Sequence, residues 1–238
     1  MSVWFDASNL EYLKAASTSL LSGLGAMSTA IWVYPDTLNL YSYYLNAWYI
    51  TTTADPHPQA MFLGNGDQLR GWVRTGVTNY GGNFGCTLTT GSWQHVAMTY
   101  DGSTLIGYRN AVAGGTTYSP SGNIATDSNE LQLGRGWYST DPTRFFDGNC
   151  EDRGIWDRAL SAEEIADMYN HKLRCGFFPS GLIQWWPLSV KGDNFPVSTY
   201  TCENDDYGLQ DLVGILPATI GTAPSFDIGR DPLLNWPS

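Results

Sequence analysis

"GSWQHVAMTYDGSTLIGYRNAVAGG", Gly91 to Gly115, is the first specific pattern in this chain. A Gly-Ser turn precedes Trp93, the run alternates through Gln94, Val96, Met98 and Tyr100, Asp101-Gly102 breaks it, and a second strand-like run begins. Two runs of this kind joined by Asp-Gly predict an antiparallel hairpin. Side chains alternate across a strand, so Trp93 and His95 share one face while Val96, Met98 and Tyr100 share the other. Both faces then have something to pack against. That pattern suits a sandwich whose strands are covered on each side, and it makes His95 a half-buried, hydrogen-bonded histidine rather than a catalytic one.

The composition outside the hairpin agrees. Ten Trp, fourteen Tyr and nine Phe stand against three Lys in 238 residues, which favours strands and contact surfaces over helices. "AMSTAIWVYP", "AMFLGNGDQLRGWVRTG", "TLIGYRN" and "NELQLGRG" each have strand length and end at turn residues. Such a series predicts an all-β, two-sheet antiparallel β-sandwich of the jelly-roll type over residues 1–173. One short helix is expected near residues 161–171: in "RALSAEEIADMYNHK", Ser161 and Glu164 form a capping box, Leu160 staples onto Ile165, and Ile165, Met168 and Tyr169 make one apolar face. After Leu173 the texture changes to Pro, Gly and aromatic residues. Residues 174–238 are read as an extended C-terminal arm packing on the sandwich or on a neighbouring subunit, with Trp185, Trp186, Leu188 and Trp236 as candidate subunit contacts.

The formal net charge is −11, and nine Arg and three Lys are scattered without a basic stripe, which excludes a nucleic-acid partner. "MSVWFDASNLEYL" has neither the basic start nor the apolar core of a leader, and no apolar run is long enough to span a bilayer. Cys86, Cys150, Cys175 and Cys202 form no C-x-x-C pair, so neither a zinc site nor a redox motif is signalled; they are expected as buried free thiols, or with a Cys175–Cys202 bridge if the protein works outside a cell. G-x-S-x-G, H-E-x-x-H, P-loop, dinucleotide-type and EF-hand patterns are absent. His57 lies in "ADPHPQ", and His171 at the helix end is suited to the helix dipole.

Four segments together resemble the laminin G-like branch of the concanavalin A-like lectin/glucanase superfamily, over Met1 to about Leu173. "VWFDASNLEYLKAAS" is similar to its opening strand and turn, "STAIWVYPDT" to its second strand, "GSWQHVAMTYDG" to its W-x-H-V-A-x-x-Y-D-G hairpin, and "FFDGNCEDRGIWDRALSAEEIADMY" to its closing strand and small helix. The resemblance implies the jelly roll; it does not by itself imply a function. Related glucanases carry an E-x-D-x-x-E strand, whereas here "ENDDYG" ends in Gly208, and Glu151 and Asp152 are adjacent, on opposite faces of a strand. No catalytic residues are therefore assigned. The pentraxins, similar in the closing region, bind calcium through acidic and amide residues after an L-G pair. Here those positions are Arg135, Gly136, Trp137 and Tyr138, so no cofactor is assigned, although Asp147, Asn149 and Glu151 alternate onto one face as oxygen donors.

Two departures from the family pattern predict local adjustments. Ala111 replaces a glycine after "YRN", so the turn there is expected to be reshaped, and Arg153 in the closing strand needs a carboxylate partner if its face is buried. For ligands, "GWYSTDPTRFF" offers Trp137, Tyr138, Asp141 and Arg144 as a candidate sugar-binding loop, and "LYSYYLNAWYITTTADPHP" is a second aromatic concentration. The ending "PATIGTAPSFDIGRDPLLNWPS" looks like the tails of concanavalin A-like proteins of tailed bacteriophages. The resulting expectation is a non-catalytic virion structural protein, a capsid decoration or adhesion subunit, made in a host cytoplasm. Its partners would be other virion subunits, a second copy of itself or a cell-surface glycan. The alternatives are a secreted or cell-surface lectin module and a glycoside hydrolase.

Overall fold

The computed structural model describes residues 2–9, 12–15, 21–38, 43–48, 59–64, 67–126, 131–134, 145–171, 179–186, 188, 218–222 and 225–227. In chain order the first strands are Ser2–Phe5 (β1), Tyr12–Ala15 (β2), Met27–Pro35 (β3), Tyr43–Trp48 (β4) and Gln59–Gly64 (β5). Gln68–Thr75 (β6), Thr78–Thr87 (β7), Gln94–Tyr100 (β8), Leu105–Arg109 (β9) and Val112–Tyr118 (β10) follow. Leu131–Leu133 (β11), Gly148–Trp156 (β12), the helix Ala162–His171 (α1), Leu182–Trp186 (β13), Ala218–Thr222 (β14) and Ser225–Asp227 (β15) complete the order.

These strands form two antiparallel sheets, as the sequence pattern predicts. The first has the order β10-β9-β8-β3-β12-β1-β15, with β13 also pairing β12; the second is β14-β2-β11-β4-β5-β6-β7. The core lies between them. Ile31, Val33, Val96, Met98, Tyr100 and Cys150 from one sheet meet Met61, Leu63, Leu69, Val73 and Phe84 from the other, each set following the period-two rule along its strand. Cys86 and Cys150 are buried free thiols, while Cys175 and Cys202 lie outside the described residues.

The outer face of the first sheet is covered by α1. Ile165, Met168 and Leu160 pack with Ala30, Ala97, Tyr108 and Trp156, so strands that would otherwise face water have apolar residues on both sides. The capping box forms: Ser161 N donates to Glu164 Oε2 at 2.9 Å, and Glu164 N donates to Ser161 Oγ at 3.2 Å. Arg158 adds an ion pair to the Glu164 carboxylate. The Arg158 hydrogen bond holds the Glu164 carboxyl below its usual pKa.

The two long edges of the sandwich are closed differently. On one side β10 lies against β7, and a Cβ at Gly114 would strike the carbonyl of Phe84, so only glycine permits that approach. On the other side β1 and β2 run from the first sheet to the second, and β14 and β15 run back alongside them, pairing with β2 and β1. The described parts of the C-terminal segment thus contribute strands to both sheets of their own chain.

Two local expectations are corrected. Asn110 and Ala111 have φ of 49° and 65°, so the hairpin keeps its two-residue turn with Ala in the left-handed region instead of being reshaped. His95 is only 1 % exposed, and its Nδ1 has no hydrogen-bond partner.

Candidate functional site

The face of the second sheet turned away from the core carries a grid of side chains built by β5, β6 and β7. In "QLRGWVRT", Leu69 and Val73 enter the core, so Gln68, Arg70, Trp72 and Arg74 project to the opposite face. Pairing sets their neighbours: Arg70 lies between Phe62 and Asn83, Trp72 between Ala60 and Gly81, and Arg74 beside Asn79. Phe62 and Trp72 meet edge to face, their centroids 4.8 Å apart, and the Arg70 guanidinium carbon lies 6.0 Å from the Phe62 centroid. A Cβ at Gly81 would strike the Gly71 carbonyl and the Cα and Cβ of Trp72, so β7 can pair this closely with β6 only because residue 81 is glycine.

Arg70 is held in place. A Cβ at Gly64 would collide with Arg70 Cδ, which shows that the aliphatic stem lies across the glycine while the guanidinium lies over Phe62. Its Nε is buried without a hydrogen-bond partner. The nearby Gln68 is already committed, donating to Asp67 Oδ1 at 2.8 Å and to Thr87 Oγ1 at 2.9 Å. Phe62 is 5 % exposed and braces the half-buried Trp72, so the part of this cluster that can meet a ligand is the Trp72 indole with the Arg70 guanidinium and amide groups beside it, a set that can stack a ring and bond its polar edge.

A second concentration of chemistry lies under α1. Trp32, His95 and Tyr169 form a stack, with 5.4 Å between the Trp32 and His95 centroids and 5.7 Å between Trp32 and Tyr169. Burial lowers the His95 pKa to about 3, so the imidazole is neutral at physiological pH and serves packing. Arg153, 1 % exposed, sits at a β-bulge in β12, where Asp152 and Arg153 together oppose Ile31; burial lowers its pKa to about 9, with Cys150 acting in the other direction. Asn149 and Glu151 are buried beside the first sheet's aromatic residues, paired with Tyr34 and Trp32. Burial raises the Asp147 pKa, and the Asp36 and Asp6 carboxylates raise it further. Among the described residues no group of three or more His, Cys, Asp or Glu side chains could hold a metal ion.

Of the residues singled out from sequence, Trp137, Tyr138, Asp141, Arg144 and Trp236 lie outside the described residues, as does "ENDDYG". Trp185 and Trp186 are placed by backbone alone, in β13 opposite Gly154 and Arg153. Leu188 is 3 % exposed and belongs to the core between the sheets. The Phe62, Arg70, Trp72 and Arg74 face was not singled out. Its signal was present as the strict alternation of long outward residues with Leu, Gly, Val and Thr along β6.

Residues 8–166 match the laminin G family of the concanavalin A-like lectin/glucanases superfamily. The chain belongs to that superfamily. The concanavalin A-like fold also appears in comparisons with solved structures. A Bacteroides ovatus protein, described provisionally as a carbohydrate binding protein, superposes with a TM-score of 0.63 at 16 % identity, over 94 % of this chain and 60 % of that one. The CBM40 domain of the Ruminococcus gnavus IT-sialidase, solved with α2,3-sialyllactose, gives 0.54 at 13 % identity, over 71 % of this chain and 96 % of that one. Domains LG4-5 of the mouse laminin α1 chain give 0.51 at 10 % identity, over 68 % and 43 %. At these identities the likeness is one of fold. No curated protein sequence matches the chain. Among the described residues no helix is long and apolar enough to cross a membrane.

Proposed function

We propose that this chain is a non-catalytic carbohydrate-binding module whose ligand lies on the outer face of the second sheet. The observation that carries this reading is the half-buried Trp72 indole, braced edge to face by the buried Phe62, with Arg70 fixed beside it. The carbohydrate-binding descriptions of the Bacteroides and Ruminococcus proteins support it by analogy of fold. The test is a glycan-array screen of the whole chain, with calcium and with chelator, beside Trp72→Ala and a Trp137→Ala/Tyr138→Ala double variant. Loss of binding by about tenfold or more in Trp72→Ala, with unchanged thermal unfolding, supports this face. Loss only in the double variant places the ligand at Trp137 and Tyr138, and a blank array overturns the sugar-binding reading. Turnover of a β-glucan would instead establish an enzyme.

The virion role, as a decoration or adhesion subunit, is a second proposal and is compatible with the first. It rests on the likeness of residues 217–238 to phage protein tails and on the placement of β14 and β15 as the end strands of the two sheets among the described residues, where a strand can pair with another subunit. Deleting residues 218–238 is expected to abolish attachment to particles; retained attachment would remove the tail from that role.

A further inference from the structure

We infer that the sugar bound at the outer face of the second sheet carries a carboxylate, which Arg70 receives. This rests on the sugar-binding reading and goes beyond it in naming the ligand's chemistry. The first argument is charge. In a chain of net charge −11, the cross-strand partners of β6 on this face are Asn79, Gly81, Asn83 and Thr87, none of them acidic. The neighbouring Asp67 carboxylate accepts from Gln68 instead. Among the described residues no carboxylate pairs with Arg70, which therefore stands as a cation on an outward strand of an acidic molecule.

The second argument is geometry. The Arg70 stem is seated across Gly64 and its guanidinium across Phe62, so little conformational entropy remains to be lost on binding. A guanidinium so fixed presents its fork of N–H donors to a planar oxyanion, and a carboxylate accepts two of them at once. Arg70 and Trp72 are alternate residues of one strand, roughly 6.6 Å apart along it. A pyranose ring stacked on the indole places a ring carboxylate over that distance, whereas a neutral sugar leaves the Arg70 donors to water.

The experiment measures affinity of the full chain for trigalacturonate, its methyl ester and the methyl glycoside of N-acetylneuraminic acid, at low and high salt, with a 6-sulfated galactose oligosaccharide as the competing anion. Either carboxylated probe is expected to bind at least about tenfold more tightly than the ester, with an advantage that shrinks as salt rises. Arg70→Gln should erase that advantage, so that acid and ester bind alike, and Arg70→Lys should restore it in part. Equal affinity for acid and ester, an unchanged preference in Arg70→Gln, or a preference for the sulfated probe would overturn the inference while leaving sugar binding intact. Absence of binding to every probe and to the array would overturn both.

Discussion

Asn110 shows how a residue fixes a turn against its neighbour's preference. His95 N donates to Asn110 Oδ1 at 2.9 Å and Asn110 N donates to the His95 carbonyl at 2.8 Å, so the turn is pinned to β8 and Ala111 must take a positive φ. An L-residue there costs about 1 kcal/mol that glycine does not. Ala111→Gly is expected to raise the urea midpoint by an amount near that value, with an unchanged slope. His95 itself gives a pH prediction. Its folded pKa of about 3 is below the ordinary 6.5, so unfolding takes up a proton between those values. Its contribution is fully present above pH 6.5 and is lost as pH falls towards 3, by about 2 kcal/mol between pH 7 and pH 5. Chemical denaturation at both pH values should show that loss in the parent and a flatter response in His95→Phe, which keeps an aromatic ring against Trp32 and Tyr169.

At the scale of elements, α1 was legible because caps and periodicity are local: Ser161, Glu164 and the Ile165–Met168 face all lie within one short segment. Ser161→Ala should lower stability by about 1 kcal/mol in thermal or urea unfolding, since the amide that bonds Ser161 Oγ loses its acceptor. Strand β12 was only half legible. Cys150 and Ile155 both reach the core although their spacing is odd, because the bulge at Asp152–Arg153 reverses the alternation between them. Nothing in "CEDRGI" announces that reversal. It follows from pairing with β3 on one side and β13 on the other, and Asp152 accommodates it at a φ of 49°.

For the whole molecule, the C-terminal segment is tied to the sandwich at distinct depths. Leu188 is part of the core, with Ile183 packed against it, whereas β14 and β15 cover edges. Truncation before residue 175 removes the core contribution of both side chains. It should destabilise the domain by about 2 to 5 kcal/mol or more, by the cost of emptying one large buried site. Truncation before residue 218 leaves the core intact and bares β1 and β2, so the expected change is self-association, with little loss of thermal stability. Size-exclusion chromatography and thermal unfolding of the two truncations separate these outcomes. A monomeric shorter form with unchanged midpoint would show that neither segment contributes.

The sequence by itself determined the sandwich, the Trp93–Gly102 hairpin and the helix with its cap. Those rest on period and turn chemistry, which act between residues close in the chain. Only the tertiary structure decided which outward residues form a site. Arg70 acquires its place from Gly64 and Phe62 across a strand pair, and Trp72 is braced by Phe62 across the same pair and lies opposite Gly81 across another. Such neighbours are set by register between strands, and register depends on how both sheets share one core.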